Sequence, residues 1–154
     1  MLMMEVCCSI TGDRTKMRDL QRFLKAQEYD YDTALAEIRS GHKRSHWIWY
    51  IFPQIAGLGF SSTAEYYAIR DRAEAEDYIA DPVLSQRLVE ISNALLDLDS
   101  DDPTDVMGYP DDLKLKSSMT LFLLVSDNPV FQKVLDKFYG GEKCRFTVDK
   151  LSNR

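Results

Sequence analysis

The segment Ser45-His46-Trp47-Ile48-Trp49-Tyr50-Ile51-Phe52-Pro53 constrains this chain more than any other. From Trp47 to Phe52 every side chain is apolar or aromatic, so no face is left for water whichever way the backbone turns. The rest of the protein must enclose this run. Ser45 suits a helix N-cap, because its hydroxyl can accept from a backbone N–H of the first turn. Pro53 closes the run, having no N–H to donate. Its length suits a buried strand as well as a short helix, and periodicity does not separate the two. The helix is preferred because the longer elements around it read as helical.

Upstream, residues 1–16 show no periodicity and read as a loosely held N-terminal tail. Met17, Leu20, Phe23, Leu24 and Gln27 then recur at three- and four-residue spacing, which predicts a helix. A second helix is expected over Asp32 to Arg39, with Ala34, Leu35 and Ile38 inward and Gly41 past its end. Downstream, Ser61 to Thr63 can cap a helix through Tyr66, Tyr67 and Ile69, and Asp71 one containing Ala75 and Tyr78. Asp81-Pro82 opens a helix to about Asp97 with the proline at its first position. The acidic stretch 97–105 reads as a surface loop. Asp111-Asp112 begin a helix through Leu124, their charges matching the positive end of its dipole. Asn128-Pro129 begin another, ended by Gly140-Gly141, and a last helix covers Phe146 to Leu151. The expected fold is all-α, one domain of seven or eight short helices over residues 17–154, with no βαβ alternation.

Composition bounds the function class. Of the 154 residues, 45% are apolar and 29% charged, which suits a soluble globular core and excludes a fibrous or disordered chain. A net charge of −6 argues against coating nucleic acid, which draws on clustered cations. Gly41-His42-Lys43-Arg44 is the one local basic stretch. No apolar run nears the ~18–20 residues that span a bilayer, and the first residues lack the basic start of a signal peptide. Cys7, Cys8 and Cys144 form neither a disulfide framework nor a zinc pattern, so free thiols in a cytoplasmic protein are expected.

Few residue patterns carry chemistry. His42 and His46 are spaced i, i+4, but a helix boundary is expected between them and no third ligand follows, so no metal site is implied. His46 alone, beside two tryptophans, could act as a general base or donor, or could be a structural histidine. Trp47 and Trp49 either both pack in the core, or one packs inward while the other faces a pocket or an interface. Lys116-Ser117-Ser118-Met119-Thr120 places hydroxyls on a helix, either for close packing or as donors to an anion. A serine nucleophile there would need His46 as its base. Asp97, Asp99 and Asp101 begin a calcium-loop spacing that fails at positions six and twelve. Gly57-Leu58-Gly59 lacks the remainder of a dinucleotide fingerprint.

Taken together, Asp19 to Phe23, Lys43 to Gln54, Gly57 to Gly59, Tyr67 to Ile69, Pro82 to Leu84 with Arg87-Leu88, Asp112 to Phe122, and Phe131 with Phe138 to Gly141 resemble the DUF1810 family. The resemblance spans nearly all of residues 17–151. It implies a small all-helical domain and brings no established activity. At Asp81 and Cys144 the chain departs from the pattern, where histidine and an acidic residue are usual.

Two readings follow. In the first, the two polar motifs form one pocket that binds or processes a small anionic, nucleotide-like molecule. His46, Ser117 and Ser118 are its catalytic candidates, and Arg44, Ser45, Trp47, Trp49, Gln54, Lys116 and Thr120 would hold the ligand without metal or cofactor. In the second, the polar motifs fasten helices together, and the protein is a non-enzymatic module that binds another protein. Both rest on one argument: buried polar groups must be bonded, either to each other or to a ligand, or each costs ~1–3 kcal/mol.

Overall fold

A computed structural model describes residues 3–152, with side chains from Leu20 onward. The thiols of Cys7 and Cys8 lie outside the described side chains, and of the tail expected over residues 1–16 the backbone from Met3 onward belongs to a helix. Among the described residues are α1 (Met3–Ser40), α2 (Ile48–Ile51), α3 (Ser62–Tyr67), α4 (Arg72–Ala80), α5 (Pro82–Leu96), α6 (Pro103–Met107), α7 (Asp111–Val125), α8 (Val130–Tyr139) and α9 (Arg145–Ser152). The fold is all-α, with a lone parallel bridge between Ile55 and Ile69 among the described residues.

Helix α7 is the axis of the assembly. It packs against α2, α4, α6, α8 and α9, while α5 bridges α1, α4 and α8. From Ser117 to Phe122 no residue of α7 is exposed, the pattern expected of a helix surrounded by others rather than lying on a surface. An aromatic chain runs through it. Phe23 of α1 meets Tyr78 of α4 edge-on at 5.1 Å, Tyr78 meets Phe122 of α7 at 5.1 Å, and Phe122 meets Phe131 of α8 at 6.1 Å.

Three elements differ from the sequence-based expectation. The two helices expected over 17–39 are one, α1, because the stretch between them holds neither glycine nor proline. Packing supports the continuation: Tyr31, in the supposed gap, is buried and donates from its hydroxyl to Glu90 Oε1 of α5 at 2.6 Å. The acidic loop contains α6, opened by the same Asp-Pro pair that opens α5. Asp102 accepts from the N–H groups of Thr104 and Asp105, as Asp81 does from Val83 and Leu84. Finally, α3 stops at Tyr67. Ile69, expected on its inward face, is instead extended, and its N–H donates to Gln54 O at 2.8 Å.

The aromatic run forms a helix of one turn, and its N-cap is Trp47 rather than Ser45. Before it, Gly41 at φ +93° turns the chain out of α1, a conformation costly for a residue with a Cβ. Lys43 N–H then donates to Val106 O of α6 at 2.7 Å.

Candidate functional site

A buried carboxylate organises the first motif. Glu37 lies on the inward face of α1 between Ala34 and Ile38, and is only 9% exposed. Its Oε1 accepts from the backbone N–H of Arg44 (2.7 Å), the backbone N–H of Ser45 (2.9 Å) and the indole N–H of Trp47 (2.9 Å). Its Oε2 accepts from the Ser45 hydroxyl at 2.6 Å. Burial opposes ionisation here, but these four donors outweigh it and bring the carboxyl down to about 2. The hub therefore holds a full negative charge inside the protein.

Lys43 supplies the neighbouring positive charge. Its side chain is 5% exposed, and its ammonium pairs with Asp111 at the start of α7 at 2.7 Å, donates to Ser45 O, and lies 4.9 Å from the centre of the Trp47 ring. Lys114 also reaches Asp111, at 3.2 Å, and stands 5.6 Å over the ring of Trp49. The aromatic segment is thus clamped between the end of α1 and the first turn of α7.

Within this clamp the candidate residues are distributed unevenly. Trp47 is buried, and Trp49 is half-buried. His46 and Arg44 are exposed, the latter with a guanidinium nitrogen 3.5 Å from Ser40 Oγ. Gln54 lines a cavity of about 10 Å³ with Trp49, Gly59, Ala64, Tyr67 and Ala68. That is room for roughly one water molecule.

The second motif turns to a different neighbour. Lys116 pairs with Glu142 at 2.8 Å, which holds that carboxyl below its usual range. The Ser117 hydroxyl sits 3.1 Å from Leu113 O and 3.3 Å from Cys144 Sγ, and donates to one of them at a time. Thr120 donates to Lys116 O at 2.8 Å and accepts from the Cys144 N–H at 2.9 Å. Ser118 is fully buried, and its hydroxyl has no hydrogen-bond partner. The polar contacts of Lys116, Ser117 and Thr120 thus reach residues 142–144 and their own helix, whereas the aromatic segment meets Asp111 and Lys114. The second motif is itself part of α7, whereas the aromatic segment meets that helix nearer its start, at Asp111 and Lys114.

Sequence reasoning passed over Glu37, and it met Lys43 only as part of a basic stretch and Cys144 only as a free thiol and a departure from the family pattern. The signal for Glu37 was present: an acidic residue at a position where the helical stripe calls for an apolar one. Cys144 precedes α9, and Thr147 also donates to its sulfur at 3.3 Å. Burial pushes this thiol up, but the Ser117 and Thr147 hydroxyls and the backbone N–H groups of Thr147 and Phe146 bring it below its ordinary value.

A separate cleft of about 630 Å³ lies where the Ile55–Ile69 bridge meets the start of α4 and the end of α9. Ile55, Arg70, Asp71, Arg72, Ala73, Lys150 and Leu151 line it. No group of His, Cys, Asp and Glu among the described residues is arranged to hold a metal ion. No helix among them is long and apolar enough to cross a membrane.

Fold and site together define a small all-helical domain whose polar motifs bond one helix to the next. The chain belongs to the DUF1810 family, described as a protein of unknown function, whose model matches residues 17–151. It is also similar to the crystal structure of the conserved hypothetical protein Rv1873 from Mycobacterium tuberculosis, with 42% identity and a TM-score of 0.85. That match covers 87% of this chain and 96% of the other. No curated protein matches the chain.

Proposed function

We propose that this protein is a non-catalytic binding domain, one unit over residues 17–154, whose two polar motifs fasten helices rather than perform chemistry. The observation that carries this reading is the pairing around Glu37. Four donors of the Arg44–Trp47 stretch (the Arg44 and Ser45 backbone N–H groups, the Ser45 hydroxyl and the Trp47 indole) converge on one carboxylate, which leaves these four nothing to offer a ligand. Lys116 is likewise engaged with Glu142, and Thr120 with the Lys116 carbonyl and the Cys144 N–H.

The catalytic alternative asks for a nucleophile in hydrogen-bond reach of a base. Ser117 has a carbonyl and a thiol beside it, and Ser118 is enclosed. His46 stands in solvent at the other motif. Exposed aromatics such as Tyr29, Phe60, Tyr66 and Tyr109 offer material for a protein contact, since large rings left in water are the usual anchors of interfaces.

The test is turnover of generic chromogenic esters and phosphates by the wild type and by His46→Ala and Ser118→Ala. The expected result is the same background release from all three. Turnover by the wild type that either substitution abolishes, with folding intact by circular dichroism, returns the protein to the enzymes.

A further inference from the structure

We propose that the cleft between the Ile55–Ile69 bridge, α4 and α9 binds a small organic anion, an apolar body carrying a terminal phosphate or carboxylate. This inference rests on the non-catalytic reading and gives it a ligand class and a place. Both sequence motifs lie elsewhere; the cleft adjoins the aromatic segment only through Ile55.

The shape and chemistry of the walls carry the argument. About 630 Å³ falls within the ~300–1,000 Å³ typical of small-molecule sites and far exceeds what a bare inorganic ion would fill. The apolar part of the lining is Ile55, Ala73 and Leu151, and Ile55 and Leu151 are themselves buried, so these walls are fixed by the core behind them. Around this apolar surface stand three cations, Arg70, Arg72 and Lys150, against one carboxylate, Asp71. Arg70 and Arg72 also reach Glu74 and Glu76, at 3.8 Å and 3.1 Å, so the charge the cleft offers an anion is chiefly that of Lys150.

The carboxylate is already occupied. Asp71 caps α4, accepting the Glu74 N–H at 2.9 Å. Arg72 is held by Glu76 at 3.1 Å and by Leu124 O at 3.0 Å, which fixes its guanidinium without burying it. Lys150 differs from both arginines. Its ammonium donates to the neutral Ala56 carbonyl at 2.9 Å and lies 5.4 Å from the Phe146 ring centre, with no carboxylate in ion-pair range among the described residues. An ammonium has three donors, so this lysine keeps donors for an incoming anion.

Its position is also set from below. Gly57 takes φ +107°, and a Cβ there would come within 2.9 Å of Phe146 Cζ and 3.2 Å of Lys150 Nζ. The glycine lets the chain after the bridge press against α9 and hold the lysine at the cleft rim.

The probes are 1-naphthyl phosphate and 1-naphthoate, with neutral 1-naphthol and inorganic phosphate as controls, titrated by calorimetry and by amide chemical shifts on the full chain. The expected result is binding of at least one naphthyl anion, about tenfold weaker for naphthol and for phosphate alone. Shifts should centre on Ile55, Ala73 and Leu151. The phosphate and carboxylate arms decide which headgroup the site prefers. Lys150→Gln and Arg72→Gln, each checked for an unchanged melting profile, should weaken the bound anion about tenfold. If neither anion binds, or if both substitutions leave the affinity unchanged, the cleft assignment falls and the non-catalytic reading stands. If 1-naphthyl phosphate binds there and is hydrolysed to naphthol, the cleft stands and the non-catalytic reading falls.

Discussion

The indole N–H of Trp47 donates to Glu37 Oε1 at 2.9 Å, tying the largest buried side chain of the aromatic run to a charge on α1. The same oxygen takes two backbone N–H groups, so the tryptophan is oriented by a centre that also sets the path of the chain between α1 and α2. The carboxylate's charge is thus part of the fold.

That charge predicts a pH dependence. The Glu37 carboxyl is depressed from 4.5 to about 2, so the folded state binds its proton less readily than the unfolded one. Its contribution is complete above about 4.5 and is lost as the pH falls toward 2. The shift corresponds to at most about 3 kcal/mol. Denaturant titrations at pH 6 and pH 3 should show a larger stability difference for the wild type than for Glu37→Gln. Equal differences would remove Glu37 from the acid response.

Lys43→Met should destabilise by roughly 3 kcal/mol, because it leaves Asp111 and the Ser45 carbonyl without the ammonium that joins them. Lys114 also reaches Asp111, which keeps the loss at the low end for a buried pair. Chemical unfolding monitored by tryptophan fluorescence measures it directly. A change below about 0.5 kcal/mol, the range of ordinary surface substitutions, would mean that the pair contributes nothing net.

Ser117 and Ser118 should part company when each is replaced by alanine. The Ser118 hydroxyl is buried without a partner, so Ser118→Ala removes an unpaid desolvation cost and should be neutral or stabilising by about 1 kcal/mol. Ser117→Ala removes a hydroxyl that serves Leu113 O and Cys144 Sγ and should be destabilising. Thermal melts of the two variants in one buffer suffice. A destabilising Ser118→Ala would show that the hydroxyl has a partner after all.

The same serine should tune the thiol. Ser117→Ala and Thr147→Val each delete a donor to Cys144 Sγ, so the thiol should titrate at higher pH in either variant. The pH profile of iodoacetamide alkylation, read by mass at Cys144, should move to higher pH. An unmoved profile would leave the backbone N–H groups of Thr147 and Phe146 as sufficient to set it.

Much of the fold was legible because its signals are local. Asp81-Pro82 and Asp111-Asp112 marked their helices, since cap and dipole chemistry acts within one turn. The same rule was available at Asp102-Pro103 and was passed over in favour of the acidic composition around it. The continuity of α1 was less accessible. Whether Glu28 to Tyr31 continues a helix depends on what Tyr31 meets, and Glu90 lies 59 positions away. Ile69 failed for a related reason: an apolar residue after a helix can extend it or pair with a distant strand, and its partner Gln54 is not a sequence neighbour.

The candidate site divides in the same way. The sequence by itself determined that Trp47 to Phe52 had to be enclosed, that the class is all-α, and that polar side chains beside the tryptophans needed partners. Each of these follows from the solubility and hydrogen-bonding demands of the residues where they stand. Only the tertiary structure decided which partners: Glu37 for Ser45 and Trp47, Asp111 for Lys43, Glu142 for Lys116. A side chain states what it must bond to but not where in the chain that group resides. The cleft of Ile55, Arg70, Arg72 and Lys150 shows the same limit, because its residues become neighbours only once α4 and α9 pack beside the bridge.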